Sequence, residues 1–433
     1  MNSTDTPSTS RSSGWLLKRI GPGLVTACVV IGPGSILTSS NVGAKNGFEL
    51  GWVIIAACLF MMVYTSLAAK LGVVAQQSTA TLVTERAGRL LAVIIGMGVF
   101  FIASAFQFGN NLGVDSAFRA FAPERYATSS ADGGFNPFDY TVVLFNALSL
   151  AFLFAFRNLY KWLERLMAVF VGVMLVAFAL NLWFARPDLG ELLRGLLPQF
   201  NRDKLLDISL LGLVGTTFVV AAAYYQSYLV RFRGWTTADL PDGMIDARVS
   251  ASIMALITLM LMSTSAAVLR GQTLNGVEDV ANSLQPLFGD KGKVLFCIGL
   301  FSAAYSSFIV NSMIGGFILA DALGLGSTPQ DKWPRLLTAA VLLIGMGVAM
   351  YTIRSGAKPV AAIVAAQAVT VVAAPLVAGT LWWLSDRSDI MVTHRPGPVM
   401  NAFAGIGFLL LLAMAFYTAI EKVWPAVRGA LGM

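Results

Sequence analysis

Blocks of about twenty apolar residues, separated by short polar stretches, run from residue 20 to residue 423. A helix needs ~20 such residues to cross a ~30 Å hydrocarbon core. The chain therefore reads as an all-α membrane protein with eleven spans. They fall roughly at 20–44, 49–73, 90–121, 139–157, 163–184, 206–231, 246–270, 292–324, 335–354, 359–384 and 399–423. Residues 1–13 are Ser/Thr-rich without an apolar core and read as a disordered cytoplasmic tail, not a cleavable signal. Residues 14–433 read as a single transmembrane domain, with the bilayer as its surroundings.

Charge supports this class. Only 12% of residues are charged, where soluble domains carry about 25%, and 56% are hydrophobic. A soluble enzyme and a secreted disulfide scaffold are both excluded. The net charge of +7 comes from basic residues scattered singly in loops, which suits membrane topology and not nucleic acid. Cys28, Cys58 and Cys297 lie in apolar segments and read as small buried hydrophobes. The single histidine, His394, sits in a polar loop, so no histidine metal cluster can form. Lys and Arg in the short loops near the first spans place the N-terminus inside. The tail carries no targeting peptide, which suits a bacterial inner membrane.

Two spans are not ordinary helices. The first holds Gly32-Pro33-Gly34 at its middle, where proline removes a donor and glycine permits unusual backbone angles. The sixth holds Gly215-Thr216-Thr217, then Ala221-Ala222-Ala223 and Tyr224-Tyr225-Gln226-Ser227, a weaker signal. Broken helices at membrane depth line cavities or are buried in protein. In transporters built from inverted repeats, such breaks occupy corresponding positions in the two halves and mark the substrate site. Spans 1 and 6 are five apart, as two five-helix repeats require.

The chain resembles the Nramp family of divalent-metal transporters over nearly its full length. The resemblance rests on Gly21-Pro22-Gly23, on Gly32-Pro33-Gly34-Ser35, and on Ser66 to Val73 at the end of span 2. It rests also on Tyr160-Lys161-Trp162-Leu163-Glu164, on Ile298 to Ser307 in span 8, and on Ala366-Gln367 before Pro375 in span 10. It implies a LeuT-like fold: a 5+5 inverted repeat with helices 1 and 6 broken, plus an eleventh helix. Repeat one then covers about 20–184, repeat two about 206–384, and the extra helix about 399–423. It also implies alternating access around a midplane site.

The departures from the family pattern bear on substrate. The resemblance places the family's metal-binding Asp at Gly32 and its Asn at Ser35. Its Met-Pro-His falls on Val219-Val220-Ala221, and the later helix-6 His on Gln226. The helix-3 acids fall on Ala105 and Phe108, and a span-10 Gln on Ala373. None of these replacements supplies a carboxylate, imidazole or thioether, the ligands that transition metals select. A helix break at Gly32 instead exposes the amides of Gly34, Ser35 and Ile36 at a partially positive helix end. Ser35, Thr38, Ser39 and Ser40 follow, and Thr216, Thr217, Tyr224, Tyr225 and Gln226 could add donors from helix 6. The expected substrate-contacting set is Gly32, Gly34, Ser35, Ile36, Thr38, Ser39, Thr216, Thr217, Ala221, Tyr224, Gln226 and Gln367. The expected substrate is a small anion such as bicarbonate, with no cofactor, no resident metal and no obligate protein partner. The rivals are a divalent-cation transporter with an unusual site, a carrier of a neutral or zwitterionic solute, and a non-transporting membrane sensor. For each hydroxyl the plainer expectation is a bond to its own helix backbone. Gln107, Asn110 and Asn111 give span 3 a polar face, and Asp115 and Arg119 are spaced for an ion pair. Asn311 is a candidate cavity residue or helix–helix contact. Lys45 reads as a loop charge.

Overall fold

The computed structural model describes residues 21–121, 137–155, 158–198, 208–274, 276–354 and 359–420, and every regular element among them is helical. In chain order the α-helices are α1 (Pro22–Val30), α2 (Pro33–Asn46), α3 (Gly51–Ala75), α4 (Thr79–Ala87), α5 (Arg89–Phe121), α6 (Pro137–Ala155), α7 (Leu159–Ala185) and α8 (Leu189–Gly195). There follow α9 (Ile208–Thr217), α10 (Val220–Phe232), α11 (Leu240–Val268), α12 (Val277–Ala322), α13 (Lys332–Arg354), α14 (Pro359–Asp386), α15 (Ser388–Met391) and α16 (Pro398–Thr418). Eight described helices are long and apolar enough to cross a membrane, and nine when the bent pair α1–α2 counts as one span. The shorter Tyr140–Ala155 is also apolar. The expected tail lies outside the described residues.

Prolines set several of these starts. Pro22, Pro33 and Pro398 occupy the first turns of α1, α2 and α16, where a missing amide costs nothing. Gly47 ends α2 at φ +63°, its amide bonded to the Gly43 carbonyl. Two of the segments between the expected spans also hold helix. The first contains α8, capped by Asp188, whose carboxylate accepts from the amides of Gly190 and Glu191. The second contains the start of α12, which kinks at Gly289 (φ +67°).

The first-span break bends the chain by 57° between α1 and α2. The sixth-span break is milder and falls at Phe218–Val219, between the two stretches singled out in the sequence. The four half-helices lie inside the bundle: α1 packs on α7, α10, α11 and α12, and α2 on α5, α9, α11 and α12. Outward faces carry exposed large apolar side chains such as Phe101, Trp183, Tyr351 and Leu409, as a lipid-contacting belt requires.

Close backbone approach holds the first break in place. A methyl added at Gly113 of α5 would sit 2.1 Å from Pro33 Cγ. The proline ring cannot yield as a flexible chain would. Gly113→Ala should therefore push α5 off the break and destabilise the protein by about 1–3 kcal/mol. A thermal melt of the purified protein in detergent checks this, and a melting point within a degree of the unmodified protein would refute it.

Candidate functional site

The first break joins two helix ends. Gly32 is the N-cap of α2 in extended backbone, and no side chain caps the helix. Proline 33 has no amide to satisfy. Ile36 N–H donates to the Gly32 carbonyl at 3.1 Å, so its amide is committed to the helix and is not a free donor as expected. The amides of Gly34 and Ser35 find no acceptor among the described residues. Two uncommitted donors at a helix N-terminus form a seat for negative charge.

The second break contributes a similar end. Val219 is the N-cap of α10, again with no side-chain cap, and Ala221 lies in the first turn. Its side chain is only a methyl, so Ala221 can contribute nothing but backbone. The two breaks touch through Ser35, whose hydroxyl bonds to the Val30 carbonyl and lies 3.1 Å from the Thr216 carbonyl. Thr38 donates to the Gly34 carbonyl at 2.8 Å and lies 3.1 Å from Thr216 Oγ1. Thr216 in turn lies 3.2 Å from the Leu213 carbonyl. The Ser35 and Thr216 hydroxyls reach carbonyls left over where α1 and α9 stop, while Thr38 bonds back to the first turn of its own helix. The protons of Ser35, Thr38 and Thr216 are thus engaged within the protein, as the plainer reading of each hydroxyl has it. Buried Thr217 and Ser39 are different: their hydroxyl oxygens have no partner among the described residues.

Gly32 itself meets two further elements. A methyl built there would lie 3.1 Å from Ser307 Oγ of α12 and 3.4 Å from Asn110 Oδ1 of α5. Ser307 also donates toward the Val29 carbonyl of α1 at 3.4 Å. The space beside Gly32 is thus walled by neutral polar groups. The residues around the break are buried: Ser35 is 4% exposed and Thr217 1%. Among the described residues, no group of three or more His, Cys, Asp or Glu is placed to hold a metal ion.

Several expected site residues lie elsewhere. Gln226 serves a second polar centre, at the middle of α10 and away from the break. Its Nε2 donates to Asp246 Oδ2 at 3.2 Å, and its Oε1 accepts from Thr26. Asp246 also accepts from the amides of Gly21 (2.8 Å) and Gly23 (2.7 Å). The Gln226 side chain is thus spent on Asp246 and Thr26, beside the start of α1. Tyr224 joins a tyrosine cluster, its ring 6.3 Å from that of Tyr228, while its hydroxyl has no partner among the described residues. Gln367 lies on α14, in the stretch whose side chains are outside the described residues. Asp115 and Arg119 form an ion pair at 2.6 Å. Asn311 donates to the Ala103 carbonyl at 2.7 Å and so joins α12 to α5. The three cysteines are buried and free.

Two buried carboxylates escaped the sequence reading. Asp246 is one; the other is Asp321, which accepts from Ser78 at 2.8 Å and from the Tyr228 hydroxyl. The signal that could have found both is general: an acidic residue within an apolar span is functional or paired by default.

Bent α1–α2, interrupted α9–α10 and a buried uncapped helix end between them are the features of a membrane transporter of the LeuT-like fold. A family model described as natural resistance-associated macrophage protein-like matches residues 23–421, and the chain belongs to this Nramp family. A divalent metal cation transporter of Deinococcus radiodurans is 25% identical over 398 residues, covering 89% of this chain and 86% of that protein. A second, from Chromohalobacter salexigens, is 26% identical over 346 residues, covering 75% of this chain and 76% of that protein. The crystal structure of the Eremococcus coleocola manganese transporter in complex with an aromatic bis-isothiourea compound superposes with a TM-score of 0.78. It is 18% identical and covers 96% of this chain and 88% of that one. MhsT in complex with L-phenylalanine shares the fold more distantly, with a TM-score of 0.58 at 15% identity, covering 95% of this chain and 100% of that one. The protein is a membrane transporter and not an enzyme.

Proposed function

We propose that this Nramp-family transporter carries a small anion, with bicarbonate the favoured substrate, by alternating access around the α1–α2 break. The observation that carries the reading is the uncapped start of α2, where the buried amides of Gly34 and Ser35 have no acceptor among the described residues. A charged oxygen accepting two such amides gains charge-assisted hydrogen bonds. A divalent cation there would face the same positive helix end. It would lose hydration with no carboxylate to replace it, at a cost of at least several kcal/mol. Residues 14–433 act as one transport unit, and the N-terminus faces the cytoplasm, in line with the basic residues of the first short loops.

The second reading is divalent-metal transport, favoured by the names of the Deinococcus and Chromohalobacter relatives. Backbone carbonyls, hydroxyls and retained water would then have to ligate the ion. The two readings separate in proteoliposomes carrying an internal pH dye or an internal metal-sensitive dye. A bicarbonate gradient should alkalinise the lumen beyond protein-free controls, while Mn²⁺ and Mg²⁺ should not enter. Metal entry without alkalinisation would overturn the anion reading.

A further inference from the structure

A ladder of carboxamides leads away from Gly32 into the bundle, on α5 and α6. Asn110 turns Oδ1 toward Gly32 and donates Nδ2 to Gln107 Oε1 at 3.4 Å. Asn111 donates to the Gln107 carbonyl at 2.9 Å, and Asn146 donates to Asn111 Oδ1 at 2.7 Å and to the Val142 carbonyl at 2.8 Å. Gln107 is 0% exposed, Asn110 2%, Asn111 1% and Asn146 1%. The Gln107 side chain packs tightly on Gly345 of α13, where an added methyl would lie 2.6 Å from its Cγ. Yet Gln107 Nε2 has no hydrogen-bond partner among the described residues. An unmet buried donor is costly, and natural proteins rarely keep one without a use.

A half-turn of both carboxamides resolves it. Gln107 Nε2 then donates to Asn110 Oδ1, and the bond between the two residues survives with donor and acceptor exchanged. Asn110 Nδ2 then faces Gly32. The unmet group becomes the Gln107 side-chain oxygen, Oε1, and buried carbonyl oxygens go short of partners more readily than N–H groups do. We propose that Gln107 and Asn110 form a reversible carboxamide pair that sets which hydrogen-bonding face the site shows its substrate. Asn110 contacts the substrate, and Gln107 is a positioning residue behind it. An oxyanion seated on the Gly34 and Ser35 amides selects the donor-facing state. In the other state the wall offers an acceptor, which suits a protonated oxygen such as the hydroxyl of bicarbonate. This inference rests on the anion reading of the same site.

The test uses bicarbonate in proteoliposomes with the internal pH dye, and thermal stabilisation of the purified protein by bicarbonate against chloride. Asn110→Asp removes the donor outright. Gln107→Glu keeps the shape but can only accept as a carboxylate, so it holds Asn110 with Oδ1 toward Gly32. Gln107→Met keeps the volume and leaves Asn110 free to turn. Asn110→Asp should raise the KM for bicarbonate at least about tenfold and suppress the bicarbonate-induced stabilisation. Gln107→Glu should raise KM at least about tenfold more than Gln107→Met, with kcat changing less than KM. KM values within threefold of the unmodified protein for both Asn110→Asp and Gln107→Glu would overturn the proposal. So would equal effects of Gln107→Glu and Gln107→Met, which would reduce Gln107 to packing. An unmodified protein that neither moves bicarbonate nor is stabilised by it would overturn the anion reading itself, and this pair with it.

Discussion

Gly32→Asp should abolish anion flux without weakening the fold. Gly32 has φ −113° and ψ −179°, extended backbone open to any residue, so no strain follows from adding a side chain. The added Cβ would sit 3.1 Å from Ser307 Oγ, close enough to need a shift of a few tenths of an ångström. Aspartate is also a good N-cap, and its carboxylate would accept from the second and third amides of α2, those of Gly34 and Ser35. Stability should stay level or rise by a few tenths of a kcal/mol. The same contacts take away both donors offered to the substrate and set a negative charge beside it. Losing two charge-assisted bonds at ~1.5–3 kcal/mol each corresponds to a flux loss of about a hundredfold or more. The pH-dye assay and a thermal melt together read both halves. Under the metal reading the sign reverses, and Gly32→Asp should raise Mn²⁺ entry. A variant with normal bicarbonate flux and no metal entry would show that the start of α2 is not the seat.

Asp246→Ala should be the most destabilising single change at a polar residue of the α1 anchor. Its carboxylate substitutes for a local cap on α1, which has none of its own, by accepting from Gly21 and Gly23. It also fixes Gln226, which holds Thr26. Truncation leaves two buried amides and one carboxamide donor without acceptors, at ~1–3 kcal/mol each before relaxation. A net loss of about 3–5 kcal/mol is expected. Asp246→Asn keeps one acceptor oxygen and should fall between the two. The melting temperatures in detergent should rank Asp246, then the Asn variant, then the Ala variant. Equal melting points for all three would show that this centre does not hold α1.

Much of this molecule was legible before its structure. Span-length apolar blocks report burial in lipid directly, because each residue in a membrane helix meets the hydrocarbon or another helix. The first break was visible because Gly32-Pro33-Gly34 encodes it chemically. The second was less so. Phe218 and Val219 are ordinary apolar residues, and the interruption there is accompanied by contacts from another helix, with Ser35 close to the freed Thr216 carbonyl. Ile36 read as a free donor because the count of open amides at a helix start depends on where the first turn closes. It closes on Gly32.

The sequence by itself determined class, membership and the absence of charge at the break, since each follows from which side chains are present. Only the tertiary structure decided how those side chains are spent. Gln226 stands in α10, close in sequence to the break, yet it belongs to Asp246 of α11, which also accepts from the amides at the start of α1. Ser307 and Asn110 are distant in sequence from Gly32, yet they wall it because α5 and α12 pack against the break. A hydrogen bond depends on distance and direction between atoms, and in a helical bundle those are set by packing between helices that are separate along the chain.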